Sequence, residues 1–286
     1  MVPRVRTFLL ILCLLMAGAS AAMPSESSPR PYLALGDSVA FGFIAQAGFE
    51  YRNPDNFIGY PDYTGRALRL NDTNAACPGE TTGSFLSATA TDNGCQAFRL
   101  HEPLHVQYTT TQSSFALAFL ASHRQTRLVT ILLGANDVFV LENMCGGDPT
   151  CIANGLPQVL ATASENMAKI LGEIRGAGFK GVIVVENYYS LDYSDAAGTA
   201  GVQLMNQAVT APAAAFGAVV ADVFTTFQTV ASSPFAGGQT CKAGLLNALP
   251  SPSKQFVCDV HPSQSGQQLI ARTVEAAYLA ALHAAE

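Results

Sequence analysis

Five short apolar runs, alternating with helix-like stretches, limit the folding of this chain more than any other feature. The runs are Tyr32–Leu35, Asn74–Cys77, Leu128–Leu133, Val182–Glu186 and Val219–Asp222. They are aliphatic or β-branched and do not alternate cleanly with polar residues, as expected of strands buried on both faces. Between them the spacing predicts helices over Tyr63–Leu70, Ser114–His123, Pro157–Ala177, Val202–Phe216 and Gln264–His283. Within Pro157–Ala177, the residues Val159, Ala163, Met167, Ile170, Leu171 and Ile174 trace one apolar face, and Gly176 and Gly178 stop the helix. In the last helix Ile270, Val274, Tyr278 and Leu282 recur every fourth residue. Parallel strands need crossover connections, so this order calls for a parallel sheet with helices on both faces. Segments without clear structure run over 43–60, 78–113, 142–156, 188–200 and 232–260.

The first residues read as an address rather than as part of the fold. Arg4 and Arg6 precede an apolar run from Phe8 to Ala17, and the small residues Gly18 to Ala22 follow. That order is a secretory signal over 1–22, with Ala19-Ser20-Ala21 as its processing site. The run is shorter than the roughly 20 residues a membrane span needs, and Cys13 inside it lacks the small neighbours of a lipid-attachment site. Pro- and Ser-rich residues 23–30 read as a flexible leader, and one domain is expected over 31–286. An exported chain with six further cysteines implies disulfides. The six fall into couples, and nearest-neighbour pairing gives Cys77–Cys95, Cys145–Cys151 and Cys241–Cys258. No Cys-x-x-Cys occurs, which argues against a zinc cluster. A net charge of −6 leaves no basic footprint for nucleic acid or an anionic membrane.

Four short blocks carry residues suited to chemistry. Ser38, in Gly36-Asp37-Ser38, follows the first strand, where ligand sites gather in parallel sheets. A serine there is either a helix cap or a nucleophile. The Gly-x-Ser-x-Gly elbow of the common esterase fold is missing, since Val39, Ala40 and Phe41 come next. Gly79 follows the second strand in Cys-Pro-Gly-Glu-Thr-Thr, as a plain Pro-Gly turn or as a backbone open to close approach. Asn136 and Asp137 follow the third, and an asparagine amide is a neutral donor suited to a developing oxyanion, though both residues are also common in turns. His261 precedes the last helix, a position that disfavours imidazolium and leaves the ring able to accept a proton.

In this order the four blocks resemble the SGNH (GDSL-type) esterase/lipase family: Gly36-Asp37-Ser38, Gly79, Gly134-Ala135-Asn136-Asp137 and Asp259-Val260-His261-Pro262. The cysteine layout and Cys-Pro-Gly-Glu-Thr-Thr resemble the secreted actinobacterial-type members, which carry three disulfides. The resemblance implies a flavodoxin-like three-layer α/β/α fold with a parallel central sheet. It also implies Ser38 as nucleophile, His261 as general base, and an oxyanion hole from the backbone N–H groups of Ser38 and Gly79 with the Asn136 side chain. The family usually places its acid three residues before the histidine, where this chain has Cys258. Asp259 lies only two before, and opposite placement of successive side chains could turn it away from the ring, particularly with Cys258 in a disulfide. Either Asp259 or a backbone carbonyl therefore orients His261. Asp37, Asp137 and Asp222 read as acids that organise loops.

The expected activity is hydrolysis of a carboxylic ester, with fatty-acyl chains favoured, by an exported monomer without metal or organic cofactor. Its partner would be a small-molecule or lipid ester, with no nucleic acid and no stable membrane anchor. Phe41, Phe43, Phe49, Phe57 and Phe139 are candidates for an acyl pocket and equally for core. Acetylated polysaccharide is disfavoured because the chain has no Trp for sugar stacking. The alternatives are an exported non-catalytic binding protein on the same fold, and an acyltransferase or phospholipase using the same site.

Overall fold

The computed structural model describes residues 1, 28–250 and 257–284. The expected signal and most of the leader lie outside the described residues, as does 251–256 of the last long segment. Five parallel strands form the central sheet: β1 (Arg30–Gly36), β2 (Leu70–Asn74), β3 (Leu128–Leu132), β4 (Val182–Glu186) and β5 (Val219–Ala221). Their order is β2-β1-β3-β4-β5, the doubly wound arrangement of flavodoxin-like sheets. β1 sits between β2 and β3, with Tyr32 opposite Leu128 and Leu33 opposite Thr73.

Ten helices accompany the described strands. They are α1 (Ser38–Phe41), α2 (Tyr60–Leu68), α3 (Thr82–Leu86), α4 (Cys95–His101), α5 (Gln112–Ser122), α6 (Ala135–Met144), α7 (Pro149–Gly176), α8 (Ala196–Thr210), α9 (Val223–Ala231) and α10 (Gln264–His283). Successive side chains of a strand face opposite ways, and β1 shows the result. Tyr32 and Ala34 join one core with Tyr60, Phe227, Ile270 and Val274, from α2, α9 and α10. Leu33 and Leu35 join the other with Leu120, Met167, Ile170 and Ile174, from α5 and α7. Burying each of these large apolar side chains contributes roughly 1.5–3 kcal/mol. Gln267 of α10 ties that helix to α2 and α1 on the same face, accepting from Tyr60 N and donating to Val39 O.

Several boundaries differ from those read in the sequence. β2 lies at Leu70–Asn74 rather than Asn74–Cys77. An edge strand keeps polar residues on its open side, while Ala75, Ala76 and Cys77 are the fully buried continuation that enters the site. α7 begins at Pro149, because Asp148 caps it through Thr150 N, and Pro157 is accommodated inside. α8 covers Ala196–Thr210, and a separate 3-10 turn spans Ala213–Phe216 after Pro212. α2 starts at Tyr60 and ends at Leu68, where Arg69 turns left-handed (φ 54). α10 has the predicted limits.

The segments read as unstructured hold much of the remaining order. Residues 78–113 contain α3 and α4, and 142–156 belongs mainly to α6 and α7. Within 232–260 and just beyond lies an antiparallel pair, β6 (Leu246–Ala248) and β7 (Cys258–Pro262). The three expected disulfides are present, with Cα separations of 5.5 Å for Cys77–Cys95, 5.6 Å for Cys145–Cys151 and 5.7 Å for Cys241–Cys258. Among the described residues no helix is long and apolar enough to cross a membrane.

Candidate active site

The end of β1 makes a turn that only glycine accommodates. Gly36 has φ +147°, and a Cβ there would lie 2.6 Å from Leu132 O. Its N–H donates to Gln112 Oε1 at 2.7 Å, and its carbonyl accepts from Gln112 Nε2 at 3.0 Å. Asp37 then caps α1, accepting from Val39 N at 2.9 Å. The cap is therefore Asp37, which frees the Ser38 hydroxyl from that task. Ser38 is the first residue of α1, so its N–H belongs to the orphaned donors of a helix start.

β7 carries the facing groups. Residues two apart on a strand share a face, so Asp259 and His261 point the same way while Val260 is turned outward and exposed. His261 Nε2 lies 2.9 Å from Ser38 Oγ, and both oxygens of Asp259 lie 2.8 Å from His261 Nδ1. The anticipated conflict with Cys258 does not arise, because it rested on successive side chains rather than alternate ones. Ala45 N donates to Asp259 Oδ2 at 3.0 Å, and Tyr189 donates its hydroxyl to Val260 O at 2.6 Å. Burial pushes the Asp259 carboxyl up, but the hydrogen bond and charge of His261, with the Ala45 N–H, more than offset this and leave it below the ordinary value. The Phe43 ring rests 4.9 Å from the imidazole, centroid to centroid. Ser263 caps α10 just beyond, through Gly266 N.

Two further turns connect to Asp37, the residue before Ser38, through Asn136. Gly79 has φ +87°, and Asn93 packs directly against it: Asn93 N donates to Gly79 O at 2.8 Å. Asn136 enters at the start of α6, after Gly134. Its Nδ2 donates to Glu80 O at 3.0 Å and to Asp37 Oδ2 at 3.3 Å, while its Oδ1 accepts from Asn93 Nδ2 at 2.9 Å. Asp37 also accepts from the Tyr188 hydroxyl at 2.5 Å. Burial raises Asp37 to about 6, against the lowering effect of Tyr188 and Val39 N–H. Burial likewise raises Glu80 to about 7, opposed by hydrogen bonds from Ser84 and Gln112. Asp137 organises the neighbouring loop by accepting from Thr82 N and Thr82 Oγ1, whereas Asp222 caps α9 and accepts from Asn187.

The structure thus brings Ser38, Asp259 and His261 into one hydrogen-bonded line and ties Asn136 to Asp37, the residue before the serine. A hydroxyl, an imidazole and a carboxylate so arranged can move a proton off the hydroxyl and hold the resulting charge. Sequence reasoning missed Gln112, Glu80, Asn93, Tyr188 and Ala45, which hold these groups from segments far away in the chain. Glu80 alone stood inside a recognised block. Of the phenylalanines, Phe41 and Phe57 are buried core, Phe49 is 81% exposed beside Arg52, and Phe43 contacts the imidazole ring. Cys77, Glu80 and Cys95 converge, but the two sulfurs are bonded to each other and offer no thiolate to a metal.

The chain matches the GDSL-like Lipase/Acylhydrolase family over residues 34–269. No curated protein matches its sequence. Among solved structures it is similar to a lipase from a goat rumen metagenome, at 17% identity and a TM-score of 0.52, covering 87% of this chain and 98% of that one. It is also similar to an acetyl xylan esterase from Geobacillus stearothermophilus, at 14% identity and a TM-score of 0.51, covering 89% and 95%. At these identities the likeness concerns the fold.

Proposed function

The chain belongs to the GDSL-like lipase/acylhydrolase family, and from that premise we propose that it is an exported serine esterase acting through an acyl-enzyme on Ser38. The observation that carries this reading is the continuous line from Ser38 Oγ through both nitrogens of His261 to Asp259. In the first half-reaction His261 Nε2 takes the Ser38 proton as Oγ bonds to the acyl carbon. The carbonyl electrons move onto oxygen, facing the N–H groups of Ser38 and Gly79. With the amide kept in place, the Asn136 hydrogen now directed at Asp37, in the longer of its two bonds, is the one shared with this oxyanion. As the acyl C–O bond breaks, His261 returns the proton to the leaving alcohol. Water then repeats the sequence and releases the acid. Asp259 holds the ring in the required tautomer and stabilises imidazolium. None of these steps calls for a metal or an organic cofactor.

Export is supported by the signal-like first 22 residues and the three disulfides. A fatty-acyl ester, small or lipidic, is supported by the apolar residues flanking the acid–base pair, Phe43, Ile44 and Val260; the last two are 40% and 38% exposed. The test is hydrolysis of a chain-length series of nitrophenyl esters by wild type and Ser38→Ala, with phosphonate labelling of both. Wild type is expected to turn over and to be labelled, and the variant to lose at least about 10³-fold in kcat. Equal rates for the two proteins would overturn the reading.

A further inference from the structure

Three side-chain amides stand head to tail beside the nucleophile. Asn143 Nδ2 donates to Asn93 Oδ1 at 3.3 Å, and Asn93 Nδ2 donates to Asn136 Oδ1 at 2.9 Å. Asn136 Nδ2 then faces Glu80 O and Asp37 Oδ2. The backbone of Asn93 is equally close to the other oxyanion donor: a Cβ on Gly79 would lie 2.4 Å from Asn93 O. The Cys77–Cys95 disulfide ties the two turns together two residues from each of these positions. One loop residue therefore touches both turns from which oxyanion donors are drawn.

An amide presents either N–H or a lone pair to its surroundings, and the two orientations are nearly identical in shape. An oxyanion meeting Oδ1 instead of Nδ2 would be repelled. Aligned amides also polarise one another, so a donor at Oδ1 makes the N–H at the far end more acidic and a stronger donor.

We propose that Asn93 is a positioning residue for the oxyanion hole, orienting the Asn136 amide so that its N–H edge faces the substrate carbonyl and polarising that N–H. This rests on the esterase reading above and adds to it a residue that no motif contains. Asn93 does not contact the reacting atoms; it acts through Asn136.

Asn93→Ala, Asn93→Asp and Asn143→Ala are compared with wild type on a nitrophenyl ester and with a boronic acid that forms a tetrahedral adduct on serine. Asn93→Ala is expected to lower kcat roughly 10-fold, less than outright loss of an oxyanion donor, with KM within about twofold and the boronate Ki raised in parallel. Asn93→Asp presents an acceptor to Oδ1 and is expected to be slower still at pH 8. Its deficit relative to wild type should shrink as the pH falls and the new carboxyl gains a proton it can donate. Asn143, exposed at the outer end, is expected to give a loss in the same direction of about twofold to threefold. In an Asn136→Ala background, Asn93→Ala should cost nothing further. The proposal is overturned if Asn93→Ala keeps kcat within twofold of wild type, or costs the same factor with and without Asn136. If Asn93→Ala fails to fold, Asn93→Asp and Asn143→Ala decide in the same way. An inactive wild type, or a fully active Ser38→Ala, would instead remove the underlying reading.

Discussion

Asp259 meets His261 from two residues away, with both carboxylate oxygens 2.8 Å from Nδ1. The reach is possible because β7 is extended and both side chains leave its same face. A third group fixes the arrangement, since Ala45 N holds Asp259 Oδ2 from the segment that follows α1. Asp259→Asn keeps the size of the side chain but removes the charge and permits the wrong imidazole tautomer. It is expected to lower kcat by roughly 10²- to 10⁴-fold with little change in KM. Steady-state kinetics checks this, and a loss under threefold would assign the orienting role elsewhere.

Gly79→Ala tests the turn opposite. The position has φ +87°, and the new methyl would press on Asn93 O. A loss of roughly 1–3 kcal/mol in stability is expected, together with a fall in kcat as the turn shifts. Urea denaturation and initial rates read the two effects separately.

Glu80 gives a pH dependence of stability with a definite sign. Its carboxyl moves from an ordinary 4.5 to about 7 on folding, and that of Asp37 from 3.8 to about 6. Across that window the folded state keeps protons that the unfolded chain has released. The stability these two carboxyls contribute therefore falls as pH rises from the ordinary carboxyl range to about 7, and their effect levels off above it. Glu80→Gln is expected to flatten the upper part of the profile, which thermal melts from pH 4 to pH 8 would show. An unchanged slope would mean that Glu80 is already ionised in the folded state.

The Cys241–Cys258 bond ends one residue before Asp259. Replacing both cysteines with serine is expected to cost about 3 kcal/mol, from the 17-residue separation it closes. It should also lower kcat at temperatures where the protein remains folded. The corresponding change at Cys145 and Cys151, which closes only 6 residues, is expected to cost less stability and to leave kcat near wild type.

The central sheet was readable because four of its strands are short apolar runs, those of β1, β3 and β4 buried in the doubly wound pattern. β2 was misplaced because its exposed edge keeps Asn71, Asp72 and Thr73 polar, so the apolar signal begins only where the strand ends. β6 and β7 gave no signal: they are short, one of them is only three residues long, and a disulfide holds β7 in place of a broad apolar face. Missing β7 also hid the shared face of Asp259 and His261. Ser38, Gly79, Asn136 and His261 were legible because each lies in a block at the end or start of an element. Asn93, Gln112 and Tyr188 were not, since their partners are 43, 76 and 151 residues away. Contacts over such distances leave no local pattern.

The proposed nucleophile and the proposed base are mounted on different parts of the protein. Ser38 follows a strand of the parallel sheet, whereas Asp259 and His261 ride on a separate two-stranded ribbon, braced by the Cys241–Cys258 bridge and tied to the body by Ala45 N on Asp259 and Tyr189 on Val260. For an engineer the ribbon is an exchangeable cassette. Its sequence can be varied to retune the working pH while the sheet that holds the serine stays untouched.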